Sequence, residues 1–180
     1  MIDARIDKAT AERAMKLHPL IRPLVFKGLS LCIDAKVPIR IVQGGRTIDE
    51  QNNLYAQGRT QEQLNKIGLN NVKARPDLPK VTNAKGGDSW HNFFLAFDFC
   101  LLRGEKQISW NRDEDLDKDG QKDWNEVVQI FMALGFDWGG SWSSFPDYPH
   151  LQKIYGLTLM NAKKLLAEKK IDSNGYLIIS

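Results

Sequence analysis

Apolar positions along the chain follow two rhythms. From residue 7 to residue 17 they recur at helical spacing, with Ala9, Ala11, Ala14, Met15 and Leu17 on or near one face. His18-Pro19 breaks that helix, and residues 20–35 form a second, more buried helical run. The rhythm then changes. Val37-Pro38-Ile39-Arg40-Ile41-Val42 alternates and is β-branched, which predicts a strand ended by Gly44-Gly45. Thr47 followed by Glu50 has the form of a capping box, opening a helix through Tyr55 that Gly58 closes. Residues 60–88 hold Gly68, Asn70-Asn71, Pro76 and Pro79, and predict a long loop with a short helix at 61–67.

Leu95 to Leu102 is an almost unbroken β-type run, the expected central strand. Residues 111–122 are acidic and turn-like, and 123–134 are helical. Gly135 to Pro149 is rich in Gly, Trp and Ser, a loop leading into a short strand at His150-Leu151-Gln152. Thr158 to Lys169 predicts an amphipathic helix with Leu159, Ala162, Leu165 and Leu166 on one face, and Tyr176-Leu177-Ile178-Ile179 an edge strand. Helices gather at the front and strands in the middle, so the expected class is α+β, with a small central antiparallel sheet flanked by helices. No repeat or linker divides the chain, and one domain over 1–180 is expected.

Composition narrows the function classes. The 180 residues are 42% hydrophobic and 26% charged, the balance of a globular domain with a sizeable core. No apolar run approaches the roughly 20 residues of a membrane span. The first residues, MIDARIDKATAERAMK, are charged rather than apolar. No Sec signal peptide is therefore expected, and synthesis would be cytoplasmic. A net charge of +3 gives no reason to invoke nucleic acid, while a mildly basic surface suits an anionic polymer such as a bacterial cell wall. Cys32 and Cys100 sit in apolar surroundings, SLCID and DFCLL, and read as two buried thiols. Any metal would then be held by His and carboxylate.

Three histidines are present. His18, at a helix end, reads as structural. His91 and His150 lie in loops dense with Gly, Ser, Trp and Pro beside apolar strands, where sites held by a rigid scaffold tend to sit. Asp98 falls in the middle of an apolar strand, where an unpaired carboxylate costs several kcal/mol, about 2–7 on transfer scales, or is forced neutral. A metal would compensate it, and an Arg or Lys would serve equally. Asp147, just before Tyr-Pro, is an ordinary turn residue on its own evidence.

A second constellation is the stretch DLDKDGQKDWNE, residues 115–126, which matches the calcium-loop pattern D-x-D-x-D-G-x5-E at every position. Asp115, Asp117 and Asp119 take the first three ligand positions. Gly120 takes the sharp turn, Gln121 offers its carbonyl, Asp123 ligates through water and Glu126 is the bidentate ligand. Ser109 to Asp113 is too short for an entering helix, so an EF-hand-like loop is expected rather than a paired EF-hand domain.

Ser89-Trp90-His91-Asn92-Phe93-Phe94-Leu95-Ala96-Phe97-Asp98 resembles the S-x-H-x-x-G-x-A-x-D signature of the VanY/VanX and phage-endolysin zinc peptidases. Asp147-Tyr148-Pro149-His150 resembles their downstream segment, and the 45–59 stretch with Val81 to Gly87 resembles the endolysin branch. The resemblance covers roughly residues 35–152. It implies a hedgehog/D-Ala-D-Ala peptidase-like fold and one catalytic zinc on His91, Asp98 and His150. It further implies that Asp147 is the general base, that Arg46 polarises the scissile carbonyl or holds a substrate carboxylate, and that Ser89 contacts substrate. Some endolysins of this family carry a regulatory calcium loop between the same two zinc motifs. The family has glycine where this chain has Phe94, which implies a locally adjusted backbone.

Three functions compete. The first is a zinc peptidase cutting peptidoglycan stem peptides, either an L-alanyl-D-glutamate endopeptidase or a D-alanyl-D-alanine carboxypeptidase. The second is a non-catalytic calcium-binding wall module, and the third a phage structural domain with a vestigial site. The full set of His91, Asp98, His150 and Asp147 favours the enzyme, and the 44–59 segment with the long loop favours the endopeptidase. The expected protein is a monomer whose partner is bacterial peptidoglycan, released from the cytoplasm by a holin or another route.

Overall fold

Apolar side chains on both faces of one strand set the framework of the sheet. Strand β2 (Ala96–Arg103) buries six of its eight residues, which is why its sequence runs apolar without alternation. The computed structural model describes residues 2–104 and 106–179. Around β2 lie β1 (Ile39–Gln43), β3 (Gln107–Ser109), β4 (Asp137–Trp138) and β5 (His150–Gln152). They form a five-stranded sheet in the order β1-β2-β5-β4, with β3 also on β2, and every pairing is antiparallel. The α+β class and the small antiparallel sheet are as expected. β3 and β4, three and two residues long, left no readable pattern.

The chain packs as two compact units, one of residues 1–45 and 94–154 and one of residues 46–93 and 155–180. The first holds the sheet with helices α1 (Lys8–Met15), α2 (Arg22–Asp34) and α5 (Asp123–Ala133). Pro23 sits in the first turn of α2, where its missing N–H is no loss. Gly28 lets α2 come close to α5, since a Cβ there would lie 2.5 Å from the Phe131 ring. Phe97, Phe131 and Phe136 meet edge to face, and Phe99 lies against Trp124 with 4.6 Å between ring centres. Such pairs add about 0.5–1.5 kcal/mol each beyond the apolar area they bury. Cys32 and Cys100 are free and buried, and burial pushes the Cys32 thiol up to about 12. His18 is structural as expected: its N–H donates to the Phe94 carbonyl and its Nδ1 accepts from Leu20 N–H.

The second unit holds α3 (Ile48–Tyr55), α4 (Gln61–Asn65), a 3-10 turn over Trp90–Phe93 and α6 (Leu159–Ala167). Thr47 and Glu50 form the expected capping box on α3, and Thr60 with Gln63 forms another on α4. The long loop is tied down rather than loose. Gly58 N–H donates to Arg75 O and Arg75 N–H to Ala56 O, while the Arg59 guanidinium reaches Thr82 O and stacks on Tyr55. The tail departs from expectation. Residues 176–179 form no edge strand; the chain turns through Asp172–Gly175 and folds back on itself, leaving a single bridge between Ile171 and Leu177. Among the described residues, no helix is long and apolar enough to cross a membrane.

Candidate metal centre and acidic loop

The β2–β5 register sets Asp98 directly opposite His150. Their side chains meet, with Nδ1 of His150 3.2 Å from Oδ1 of Asp98. The other ring nitrogen, Nε2, lies 3.0 Å from Oε1 of Gln152, two residues along the same strand and so on the same face. An amide oxygen accepts only, so Nε2 carries the hydrogen and Nδ1 of the neutral ring presents a lone pair to the carboxylate. Two lone pairs facing each other at that distance need a proton or a metal ion between them. In the protein alone it is the proton. Burial works against a charged imidazole, but the Asp98 carboxylate, with Gln152 and Asp147, holds the His150 pKa above its ordinary value. The Trp142 ring covers the imidazole with 5.2 Å between centres.

His91 is buried in the 3-10 turn, a few residues ahead of β2. Its carbonyl accepts from Arg46 N–H, and the Asn92 amide bridges the Arg46 and Thr47 carbonyls to Gly87 N–H. One ligand atom from each of His91, Asp98 and His150 lies within 4.8 Å of the other two. That donor set, two imidazoles and a carboxylate, is what a catalytic zinc takes, leaving a position for water. The chemistry of the group therefore fits a zinc ion.

The remaining predicted residues fall as follows. Asp147 is exposed, in a turn where its N–H donates to Gly139 O and its carbonyl accepts from His150 N–H. Gly139 is required beneath that turn, because a Cβ there would sit 2.6 Å from Asp147 O and 3.0 Å from His150 Cβ. Arg46 is half-buried, and its Nη1 donates to Gln51 Oε1 at 2.7 Å; the Gln51 amide nitrogen donates in turn to Ala84 O. Ser89 is half-buried, its carbonyl accepting from Asn92 N–H. Phe94 has φ +61°, the left-handed region that glycine enters without cost. Its ring occupies the space a Cβ on Gly45 would need, 1.9 Å from Cδ1.

Gln152, Gln51 and Asn92 were not singled out from sequence. Gln152 could have been, because a residue two positions from a histidine in a strand shares its face. Gln51 and Asn92 act through contacts that no local pattern announces.

The acidic loop is built as its motif requires up to a point. Asp115 accepts from Asp119 N–H and Gly120 N–H, Asp119 from Gln121 N–H, and Asp123 Oδ1 from Leu116 N–H. Lys118 and Gly120 take positive φ in the turn. Ligand atoms of Asp115, Asp117 and Asp123 lie within 4.8 Å of one another, as do those of Asp117, Asp119 and Glu126. Asp123 Oδ2 and Glu126 Oε2 are buried without a hydrogen-bond partner among the described residues. Burial, then the surrounding aspartates, raises both carboxyl pKa values. A β-strand, not a helix, precedes the loop.

Fold and donor set together define a peptidase class, and the sequence relatives agree. A family model described as D-alanyl-D-alanine carboxypeptidase matches residues 82–153. The chain belongs to the M15 peptidase family and is a hydrolase. It is 38% identical over 138 residues to the peptidoglycan L-alanyl-D-glutamate endopeptidase CwlK of Bacillus subtilis, covering 77% of this chain and 74% of that protein. It is 35% identical over 97 residues to the L-alanyl-D-glutamate peptidase of Listeria phage A118, covering 48% of this chain and 32% of that protein. The crystal structure of the L-Ala D-Glu endopeptidase ChiX of Serratia marcescens has a similar fold, with TM-score 0.52 and 17% identity over 87% of this chain and 92% of that one.

Proposed function

We propose that this chain is a zinc metallopeptidase that hydrolyses peptidoglycan stem peptides at the L-alanyl-D-glutamate bond and acts at the bacterial cell wall. The observation that carries the chemistry is the grouping of His91, Asp98 and His150, with the His150 tautomer set by Gln152. The named activities of CwlK and the phage relative support the choice of bond. His91, Asp98 and His150 would hold the zinc, which when bound supplies Lewis acidity toward water and the scissile carbonyl. Asp147, exposed beside His150, takes the proton of the attacking water and delivers it to the departing amine. Arg46, steadied by Gln51, holds a substrate carboxylate or polarises the scissile carbonyl, and Ser89 contacts the stem peptide.

The acidic loop extends the proposal to calcium. Asp115, Asp117, Asp119, the Gln121 carbonyl, Asp123 and Glu126 would hold one ion, and the two orphaned buried oxygens of Asp123 and Glu126 are what such an ion would satisfy.

The test is digestion of purified muropeptides by the zinc-loaded protein, read by mass spectrometry. A new amino terminus at D-glutamate supports the endopeptidase. Loss of a terminal D-alanine makes the protein a carboxypeptidase instead, and intact muropeptides with zinc bound would mark a non-catalytic module.

A further inference from the structure

The guanidinium of Arg112 lies over the ring of Tyr148, its central carbon 3.6 Å from the ring centre. Each end of this contact is tied to one of the two constellations. Arg112 stands at the head of the acidic loop. Its neighbour Asp113 donates its N–H to Asn111 Oδ1 and pairs its carboxylate with Lys122 at 2.5 Å. Next comes Glu114, whose carbonyl accepts from Asp123 N–H and whose carboxylate is held by Ser109 Oγ and Arg103. The backbone carrying Arg112 is thus stapled to both ends of the 115–123 turn.

At the other end, Tyr148 sits between Asp147 and the Pro149-His150 pair. Its carbonyl accepts from Trp138 Nε1 at 2.8 Å, the next carbonyl, of Pro149, accepts from Phe99 N–H, and Asp147 O accepts from His150 N–H. Backbone contacts hold the segment from the β2 side. The Tyr148 side chain is held by Arg112 and by the Trp138 ring, 6.0 Å away.

We propose that Arg112 is a positioning residue that ties the acidic loop to the Asp147–His150 segment, so that a divalent cation in the loop steadies the Asp147 carboxylate. Carboxylates at the head of the loop compete with the Tyr148 ring for one guanidinium. A cation that neutralises them removes that competition, and the ring keeps its partner. The inference rests on the calcium and peptidase readings above, and it differs from a route through α5, because the connecting side chain precedes the loop.

The experiment uses the full-length zinc-loaded protein with calcium chloride as the probe. Calcium binding is followed by calorimetry, and muropeptide kcat and KM are measured with and without calcium. Variants are Arg112→Ala, Arg112→Lys, Tyr148→Leu and the Arg112→Ala/Tyr148→Leu pair, with melting curves on each. The expected result is that Arg112→Ala binds calcium as the parent does, yet no longer gains activity from it. Its kcat falls about 2- to 5-fold, the scale of one exposed cation–π contact, with KM little changed. Lys at 112 restores part of the response, and the double variant loses no more than either single one. A parent that binds calcium and cleaves muropeptides, beside an Arg112→Ala variant with an undiminished calcium response, overturns the link alone. Absence of calcium binding in the parent overturns the loop reading and the link with it, and absence of cleavage in the parent overturns the peptidase reading and the link with it.

Discussion

Phe94 shows how one residue can hold a backbone shape that its chemistry disfavours. A left-handed φ at a non-glycine residue costs of order 1–3 kcal/mol, and the neighbours must over-determine it. They do so through the His18 hydrogen bond to the Phe94 carbonyl and the space left by Gly45. Gly45→Ala should therefore destabilise the protein by about 1–3 kcal/mol through overpacking, and by much less in a Phe94→Gly background. Urea denaturation of the two single variants and the double variant measures the coupling; additive effects would show that ring and glycine do not depend on each other. Asp147 sits at the same scale. Asp147→Ala should keep zinc and fold but lose about a hundredfold or more in hydrolysis, the usual scale for a general acid–base group. Near-parent turnover in the zinc-loaded variant would return Asp147 to an ordinary turn role.

At the scale of elements, the acidic loop and α5 share residues: Asp123 opens the helix and also faces Asp115 and Asp117. Negative charge in a first helical turn is favourable, but a buried carboxylate oxygen without a partner is not. Asp123→Asn should then change sign with conditions. In calcium chelator it relieves repulsion and raises the melting temperature, by the equivalent of about 1–3 kcal/mol. In calcium it weakens the site and lowers the melting temperature relative to the parent. Scanning calorimetry of both proteins in both buffers checks this, and a variant that shifts the same way in each would remove the cation from the account. The Gly139 turn is the other element on which the site depends, since only a residue without Cβ passes beneath Asp147 and His150.

At the scale of the molecule, a metal that binds the folded protein and not the unfolded chain stabilises by mass action. At a free concentration a hundred times its Kd the gain is about 2.7 kcal/mol. For a chain of this size that corresponds to roughly 5–10 °C in melting temperature. Removing zinc with a zinc-selective chelator should lower the melting temperature by that amount and abolish hydrolysis, and stoichiometric zinc should restore both. Identical melting curves before and after metal removal would count against a zinc held by His91, Asp98 and His150.

Much of this was legible in the chain because its signals are local. The capping box at Thr47 and Glu50, the apolar run of β2 and the acidic turn before α5 each depend on residues within about a dozen positions of one another. His91, Asp98 and His150 stood out as polar groups set against apolar strands, and the departure at Phe94 marked a backbone that had to adjust. Other features needed the fold. β3 and β4 are too short for alternation to register, and 176–179 carries strand-type residues but closes a local turn instead. The facing of Asp98 and His150 depends on a register between strands about fifty residues apart in sequence, which apolar burial on both faces of β2 selects and no local pattern records. The same register puts Gln152 behind His150. Sequence named the side chains that could hold a metal; strand pairing decided which nitrogen of His150 faces it.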